Sequence, residues 1–257
     1  MKIVSIFNQK GGVGKTTTTI NLSAFLALEG KKILVIDMDP QGNSTSGLGI
    51  DKQTLELSTY DLLLSDSEVK DMIIAVPNID NLSIIPSNIE LAGADIQLVE
   101  VESREKALAH RLNELEKFDF DFIFIDCPPS LGLLSINALT ASNSVIIPMQ
   151  SEYYAMEGIS QLVDTINRVN KSLNKDLKIE GVLLSMYDPR KNLNLEVAKE
   201  LKKHFGDLVY NCTIPRNVRL AEAPSFGLPI HLYDPKCKGA EAYSDFSREF
   251  LKNNKEQ

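Results

Sequence analysis

Six short apolar runs, set among segments of helical length, constrain this chain more than any other feature. They are "KIVSIF" (2–7), "KILVID" (32–37), "LSIIP" (82–86), "DFIFID" (121–126), "SVIIPM" (144–149) and "IEGVLLSM" (179–186). Their near-continuous apolar character is that of strands covered on both faces. Amphipathic stretches lie at 16–29, 103–117, 152–171, 193–205 and 239–252. The alternation predicts an α/β fold, a doubly wound, mostly parallel sheet with helices on both faces. A 43% hydrophobic content over 257 residues suffices for a sizeable core. No Pro/Gly/Ser-rich linker, low-complexity tract or repeat divides the chain, so a single domain over 1–257 is expected. In such sheets ligands sit beyond the carboxyl ends of the strands, and the residues directly after each strand become the candidates.

After the first run comes "NQKGGVGKTTTT" (8–19). Gly11, Gly12 and Gly14, with Val13 between them, let the backbone curl so that consecutive N–H groups face phosphate oxygens. The helix starting near Thr16 and Thr17 adds its positive end. In this pattern Lys15 neutralises the β/γ charge of a nucleoside triphosphate and the Thr16 hydroxyl ligates Mg²⁺. Two details depart from the standard loop: Gln9 stands where glycine is usual, and a second lysine, Lys10, accompanies Lys15.

After the second run stand Asp37 and Asp39, in "DMDPQGN", and after the fourth stands Asp126, in "FIFIDCPPS". A buried strand ending in aspartate serves as an anchor for Mg²⁺ beside the γ-phosphate, the role that suits Asp126. Asp39 is then available to orient and polarise an attacking water. A lone strand-end aspartate also commonly caps a turn; two on separate strands aimed at one loop favour the site reading. Pro128 and Pro129 fit a switch segment sensing the γ-phosphate as well as they fit a plain proline turn. The guanine-reading pattern N-K-x-D is absent, because "NKDL" (174–177) places its aspartate one position early, so adenine is favoured.

Charge narrows the function further. The net charge of −8, from 27 basic and 35 acidic residues, argues against a protein that coats nucleic acid with its whole surface. Residues 1–185 carry 15 Lys/Arg and 25 Asp/Glu, whereas 186–257 carry 12 and 10, leaving room for a locally basic face. Cys127, Cys212 and Cys237 are widely separated and suit neither a disulfide framework nor paired metal ligands. No apolar run approaches the ~20 residues that span a bilayer, and the strand pattern begins at once, so a cytoplasmic protein without a signal sequence is expected.

The loop "KGGVGKTT", "DMDPQGN", "DCPPS", "EYYAMEG" and "IPRNVRLAEAPSFGLPI" together closely resemble the ParA/Soj chromosome- and plasmid-partitioning ATPases. These belong to the deviant Walker A class, which also includes MinD and the nitrogenase iron protein. The likeness runs from residue 2 to about 250, with the motifs in family order. It implies that Lys10 reaches across a two-fold interface to the partner subunit's nucleotide while Lys15 acts in cis, which answers why one triphosphate meets two lysines. It also implies that Met186, Pro215 and Asn217 hold adenine. The ATP-bound homodimer of this family binds DNA without sequence preference, through Arg190 and Arg219 with support from Lys236, Lys238 and Lys252. A centromere-binding partner of the ParB/Spo0J type is implied to trigger hydrolysis, and the protein to be nucleoid-associated.

Neighbouring classes fit less well. A MinD-like membrane ATPase would need a basic amphipathic tail, and "EFLKNNKEQ" is short and mixed in charge. An iron protein would present paired cluster-ligating cysteines. A tyrosine kinase of the same loop class would carry a tyrosine-rich tail, where only Tyr243 lies beyond residue 233. A repressor would require a helix-turn-helix segment ahead of the first strand.

Overall fold

The computed structural model describes residues 1–151 and 155–255, excepting the side chains of 155–157; most of the "EYYAMEG" stretch therefore lies outside the described residues. The strands are β1 (Lys2–Ile6), β2 (Ile33–Asp37), β3 (Ile74–Ala75), β4 (Leu82–Ile85), β5 (Phe122–Asp126), β6 (Ser144–Gln150), β7 (Lys178–Tyr187) and β8 (Val209–Pro215). They form one sheet in the order β3-β4-β2-β5-β1-β6-β7-β8. Every pairing is parallel except that of β3 with β4. This is the doubly wound, mostly parallel sheet that the apolar runs predict.

The α-helices are α1 (Lys15–Leu28), α2 (Asn43–Gly47), α3 (Thr59–Leu64), α4 (Ala94–Gln97), α5 (Ala107–Leu112), α6 (Leu133–Ala141), α7 (Ala155–Ser172), α8 (Asn192–Phe205), α9 (Val218–Glu222), α10 (Ile230–Tyr233) and α11 (Lys238–Lys255). Strand residues alternate between two cores, as a period of two requires. Ile33, Val35, Phe122 and Phe124 join the core shared with α1, α10 and α11. Leu34, Ile36, Ile123 and Ile125 join the core shared with α3 and α5 to α8.

Three features depart from the sequence reading. The edge strands β3 and β8 were not among the expected runs. β8 reads "VYNCTIP", and its polar Asn211 and Thr213 interrupt the apolar pattern because β7 is its one strand neighbour. The expected helix at 103–117 is α5 flanked by 3₁₀ turns, Arg104–Lys106 and Asn113–Lys117. The third is α1, which buries ten of its fourteen residues instead of one stripe, since α2 and α11 cover it on the side away from the sheet.

Helix α11 closes one face through three aromatic residues at helical spacing, Tyr243, Phe246 and Phe250, all buried. Phe250 meets Phe122 edge-on, with centroids 5.3 Å apart, and lies 5.7 Å from Phe124. Tyr210 meets Phe246 at 4.8 Å in the same manner. Such pairs add about 0.5–1.5 kcal/mol to simple area burial. Phe250→Ala is therefore expected to cost about 3–5 kcal/mol. A urea unfolding series without nucleotide checks this; a midpoint equal to that of the unsubstituted chain would show that α11 is held elsewhere.

Candidate functional site

The chain leaves β1 toward β2 on one side of it and leaves β5 toward β6 on the other. A crevice must open at the carboxyl ends of the central strands where these connections part. The glycine loop fills it. Gly12 (φ 72°) and Gly14 (φ 95°) are left-handed, a conformation that side-chain-bearing residues rarely adopt. The loop is tied to the ends of β6 and β7: Gln150 Nε2 donates to Gly12 O at 2.8 Å, Ser185 Oγ to Val13 O at 2.6 Å and Asn8 Nδ2 to Pro148 O at 2.8 Å. Gln9, at the position where glycine is usual, points its amide to Thr165 Oγ1 at 3.2 Å. Helix α1 begins after Gly14 with no side-chain cap, so its first N–H groups face the crevice as anion donors.

Lys15 is buried, and its Nζ donates to Lys10 O at 3.1 Å. Burial pulls the Lys15 pKa down, opposed by Asp126, Cys127 and Asp39. Lys10 itself is exposed at the rim of the loop.

Two carboxylates stand at the floor. Asp37 and Asp126 are register partners on β2 and β5, and both are completely buried. Asp126 Oδ2 accepts from Thr16 Oγ1 at 2.7 Å and from Ser44 Oγ at 2.8 Å, and Oδ1 accepts from Thr19 Oγ1 at 3.3 Å. Asp37 Oδ2 accepts from Thr45 N at 2.8 Å and Thr45 Oγ1 at 2.7 Å. Burial raises the pKa of both groups; the charge of Asp126 adds to the effect on Asp37, and the hydroxyl donors oppose it. Cys127 is a buried thiol pushed up to about 12 by burial and then by Asp126, so it is inert as a ligand or nucleophile.

A cleft of two adjoining cavities follows. The first, about 410 Å³, is lined by Gly11, Gly12, Gly14, Lys15, Thr16, Thr17, Asp39, Gln41, Asn43, Pro129 and Met186. The second, about 330 Å³, is lined by Met186, Pro215 and Asn217, and also by Ser185, Arg216 and Tyr243 among others. Gly14, Thr17 and Met186 border both. Met186 holds a left-handed φ of 51°, and its sulfur accepts from Gln150 Nε2 at 2.8 Å. The structure thus brings the loop, Asp39 and Asp126 together with Met186, Pro215 and Asn217. Sequence reasoning missed Ser44, Thr45, Gln150, Ser185, Arg216 and Tyr243; of these, Arg216 alone had a local signal, its place inside "IPRN".

The basic residues are spread more widely. Arg190 follows β7 and makes a bidentate pair with Asp188, at 2.9 and 3.0 Å. Arg219, on α9, pairs with Glu222 at 2.9 Å and Asp234 at 3.4 Å. Lys238 is the first residue of α11, and Lys236 lies in the turn just before it. Lys252 lies fourteen residues beyond Lys238, about 21 Å along the helix at 1.5 Å per residue. It shares its surroundings with Glu29, Arg248 and Lys255, at the far end of the helix from Lys238.

Comparison with known proteins agrees with this geometry. A family model described as an AAA domain matches residues 1–179. The sporulation initiation inhibitor protein Soj of Bacillus subtilis (strain 168) is 58% identical over 252 residues, 98% of this chain and 99% of that protein. The chromosome-partitioning ATPase Soj of Treponema pallidum is 49% identical over 250 residues, 97% of each. The chromosome partitioning protein ParA of Myxococcus xanthus is 48% identical over 253 residues, 98% of this chain and 89% of that one. Among solved structures, cobyrinic acid a,c-diamide synthase from Mycobacterium smegmatis with bound ADP and magnesium superposes with a TM-score of 0.86 at 37% identity, over 99% of this chain and 96% of that one. The Pyrococcus furiosus cell division ATPase MinD gives 0.79 at 27% identity, over 98% of each chain. A glycine loop clamped at the head of a doubly wound sheet, two buried strand-end aspartates and near-full-length identity place this chain in the Soj/ParA family of chromosome-partitioning ATPases.

Proposed function

We propose that this chain is an ATP-dependent dimeric switch that hydrolyses ATP to ADP and phosphate with Mg²⁺. As the ATP-bound homodimer it binds DNA without sequence preference and so drives chromosome or plasmid segregation, a ParB/Spo0J-type partner stimulating hydrolysis. The single domain spans 1–257, and the site of action is the nucleoid. The observation that carries this reading is the continuous cleft from Met186, Pro215 and Asn217 to Asp39, with Lys15 and the Thr16–Asp126 pair on its floor.

The residues present fit a magnesium ion. Thr16 Oγ1 and Asp126 Oδ2 are hard oxygen donors 2.7 Å apart. Among the described residues no cluster of three or more His, Cys, Asp or Glu side chains could hold a metal, which suits an ion that keeps waters and leans on substrate phosphates. Thr16 would hold it directly and Asp126 through a bound water. When bound, Mg²⁺ supplies charge neutralisation and polarisation at the phosphate oxygens. Lys15 and the first N–H groups of α1 hold the phosphates, and Asp39 orients the attacking water. Lys10, at the exposed rim, serves the partner subunit's nucleotide, so that dimer stability depends on an intact triphosphate.

A MinD-like membrane role is the competing reading. Among the described residues no helix is long and apolar enough to cross a membrane. The apolar face of α11 is already buried against the sheet, leaving no amphipathic face there for a lipid surface. The buried face of α11 weighs against a lipid-docking helix there.

Asp39→Ala is expected to abolish turnover while ATP and Mg²⁺ stay bound, trapping a dimer, whereas Lys15→Ala weakens nucleotide binding itself. Fluorescent-nucleotide titration beside phosphate release separates the two; parallel loss of affinity and turnover in Asp39→Ala would remove Asp39 from the water-handling role.

Lys10→Ala should bind ATP as a monomer yet neither dimerise nor hydrolyse. Mixed with Asp39→Ala, which supplies Lys10, it should regain turnover at one site per heterodimer. Sizing-column elution with ATP and with ADP reads the first half, and full dimerisation by Lys10→Ala alone would make Lys10 a mere loop residue.

Arg219→Glu should weaken DNA binding equally on unrelated duplexes and make the salt slope shallower by about one unit per protomer, while ATP-dependent dimerisation survives. A salt series of anisotropy titrations with ATP and with ADP tests this. Binding that is sequence-selective, or that ignores nucleotide, contradicts it.

A further inference from the structure

The loop that carries Asp39 is held by a closed circuit of hydrogen bonds with no exposed member except the edge of Asp39 itself. Asp39 N donates to Asp37 Oδ1 at 3.2 Å. Ser87 Oγ donates to Asp39 O at 2.8 Å, and Ser87 N donates to Thr45 Oγ1 at 2.8 Å. Thr45 Oγ1 then donates to Asp37 Oδ2 at 2.7 Å, which closes the ring. Asp37, Thr45 and Ser87 are fully buried.

Ser87 is the one member of this ring that comes from outside the 37–45 segment. It sits just past the end of β4, the strand next to β2. It therefore ties the Asp39 turn to the rigid sheet instead of leaving it tied to itself. The turn is also sterically fitted to that point. A Cβ on Gly42 (φ 58°) would come within 2.5 Å of Ser87 O, and Gly42 N closes the turn onto the same Asp39 carbonyl at 2.8 Å.

We propose that Ser87 is a positioning residue for hydrolysis: its hydroxyl fixes the Asp39 main chain, and with it the carboxylate that faces the phosphate cavity. The proposal rests on the reading of Asp39 as the water-orienting group. Ser87 itself lines neither cavity, and its hydroxyl reaches the cavity lining through Asp39. Loss of the hydroxyl frees the Asp39 carbonyl from one of its two donors and leaves a methyl-sized side chain that still fills its place. The Asp39 carboxylate then samples a wider range of positions, and displacements of about 1 Å at such a group cost up to about a hundredfold in rate.

The test compares the full-length chain with Ser87→Ala, Asp39→Ala and the double variant, using single-turnover ATP hydrolysis with Mg²⁺, fluorescent-ATP affinity and thermal unfolding. Ser87→Ala is expected to lower the hydrolysis rate about ten- to a hundredfold while ATP affinity stays within about threefold of the unsubstituted chain. The double variant is expected to hydrolyse at the residual rate of Asp39→Ala, because removing Ser87 has nothing left to act on. A Ser87→Ala rate within twofold of the original overturns the proposal. So does a matching loss of ATP affinity and thermal stability, which would make Ser87 a general support, and so does a further loss in the double variant. If Asp39→Ala itself leaves hydrolysis intact, the water-handling reading fails, and that outcome is distinct from all three.

Discussion

Two wholly buried carboxylates side by side, Asp37 on β2 and Asp126 on β5, are the constraint on which the rest of the site depends. Register partners on neighbouring strands point to one face of the sheet, so charge on Asp126 works against charge on Asp37. Burial adds its own desolvation cost. The structure offsets both with donors that belong to different loops. Asp126 gathers Thr16 and Thr19 from α1 and Ser44 from α2, and Asp37 gathers Thr45 from α2 and the Asp39 backbone. One buried carboxylate pair thus joins the phosphate loop helix to the segment that carries Asp39.

The phosphate loop follows the opposite logic. Its carbonyls are taken up by Ser185 and Gln150 from behind, while the first N–H groups of α1 have no side-chain cap. A surface with its acceptors occupied and its donors open selects anions. Gln150 does double duty by also holding the Met186 sulfur, so the glycine-loop cavity and the cavity lined by Pro215 and Asn217 share a side chain as well as a border. Met186 keeps a left-handed backbone at that border, a conformation that costs of order 1 kcal/mol or more and persists where surrounding contacts determine it.

The sheet was legible because its central strands are covered on both faces and so read as unbroken apolar runs. Edge strands have no such requirement, and β8 with its Asn211 and Thr213 went unread for that reason. In the site, glycines, lysines and aspartates announce themselves by type and spacing. Ser44, Thr45, Ser87 and Ser185 do not: a small hydroxyl residue has meaning only once folding brings a carboxylate or carbonyl to it. Charge counting misses pairing: Asp188, Glu222 and Asp234, the partners of Arg190 and Arg219, lie in the same 186–257 stretch that carries the small basic excess.

Those partners set the terms on which a polyanion can be held. For a DNA phosphate to reach Arg190 it must take the place of Asp188, and at Arg219 it must displace Glu222 and Asp234. Exposed ion pairs of this kind are weak in water, so the exchange itself costs little. The displaced carboxylates remain beside the phosphate, however, and their repulsion cancels part of each new contact. The net gain per protomer is then small and strongly salt-dependent. Under the proposed function, a surface of this design would hold DNA only when two copies are presented together, because linking weak contacts turns the second binding event into an intramolecular one. Pairing the arginines with carboxylates would then keep the single protomer off DNA and leave binding under the control of whatever joins two protomers.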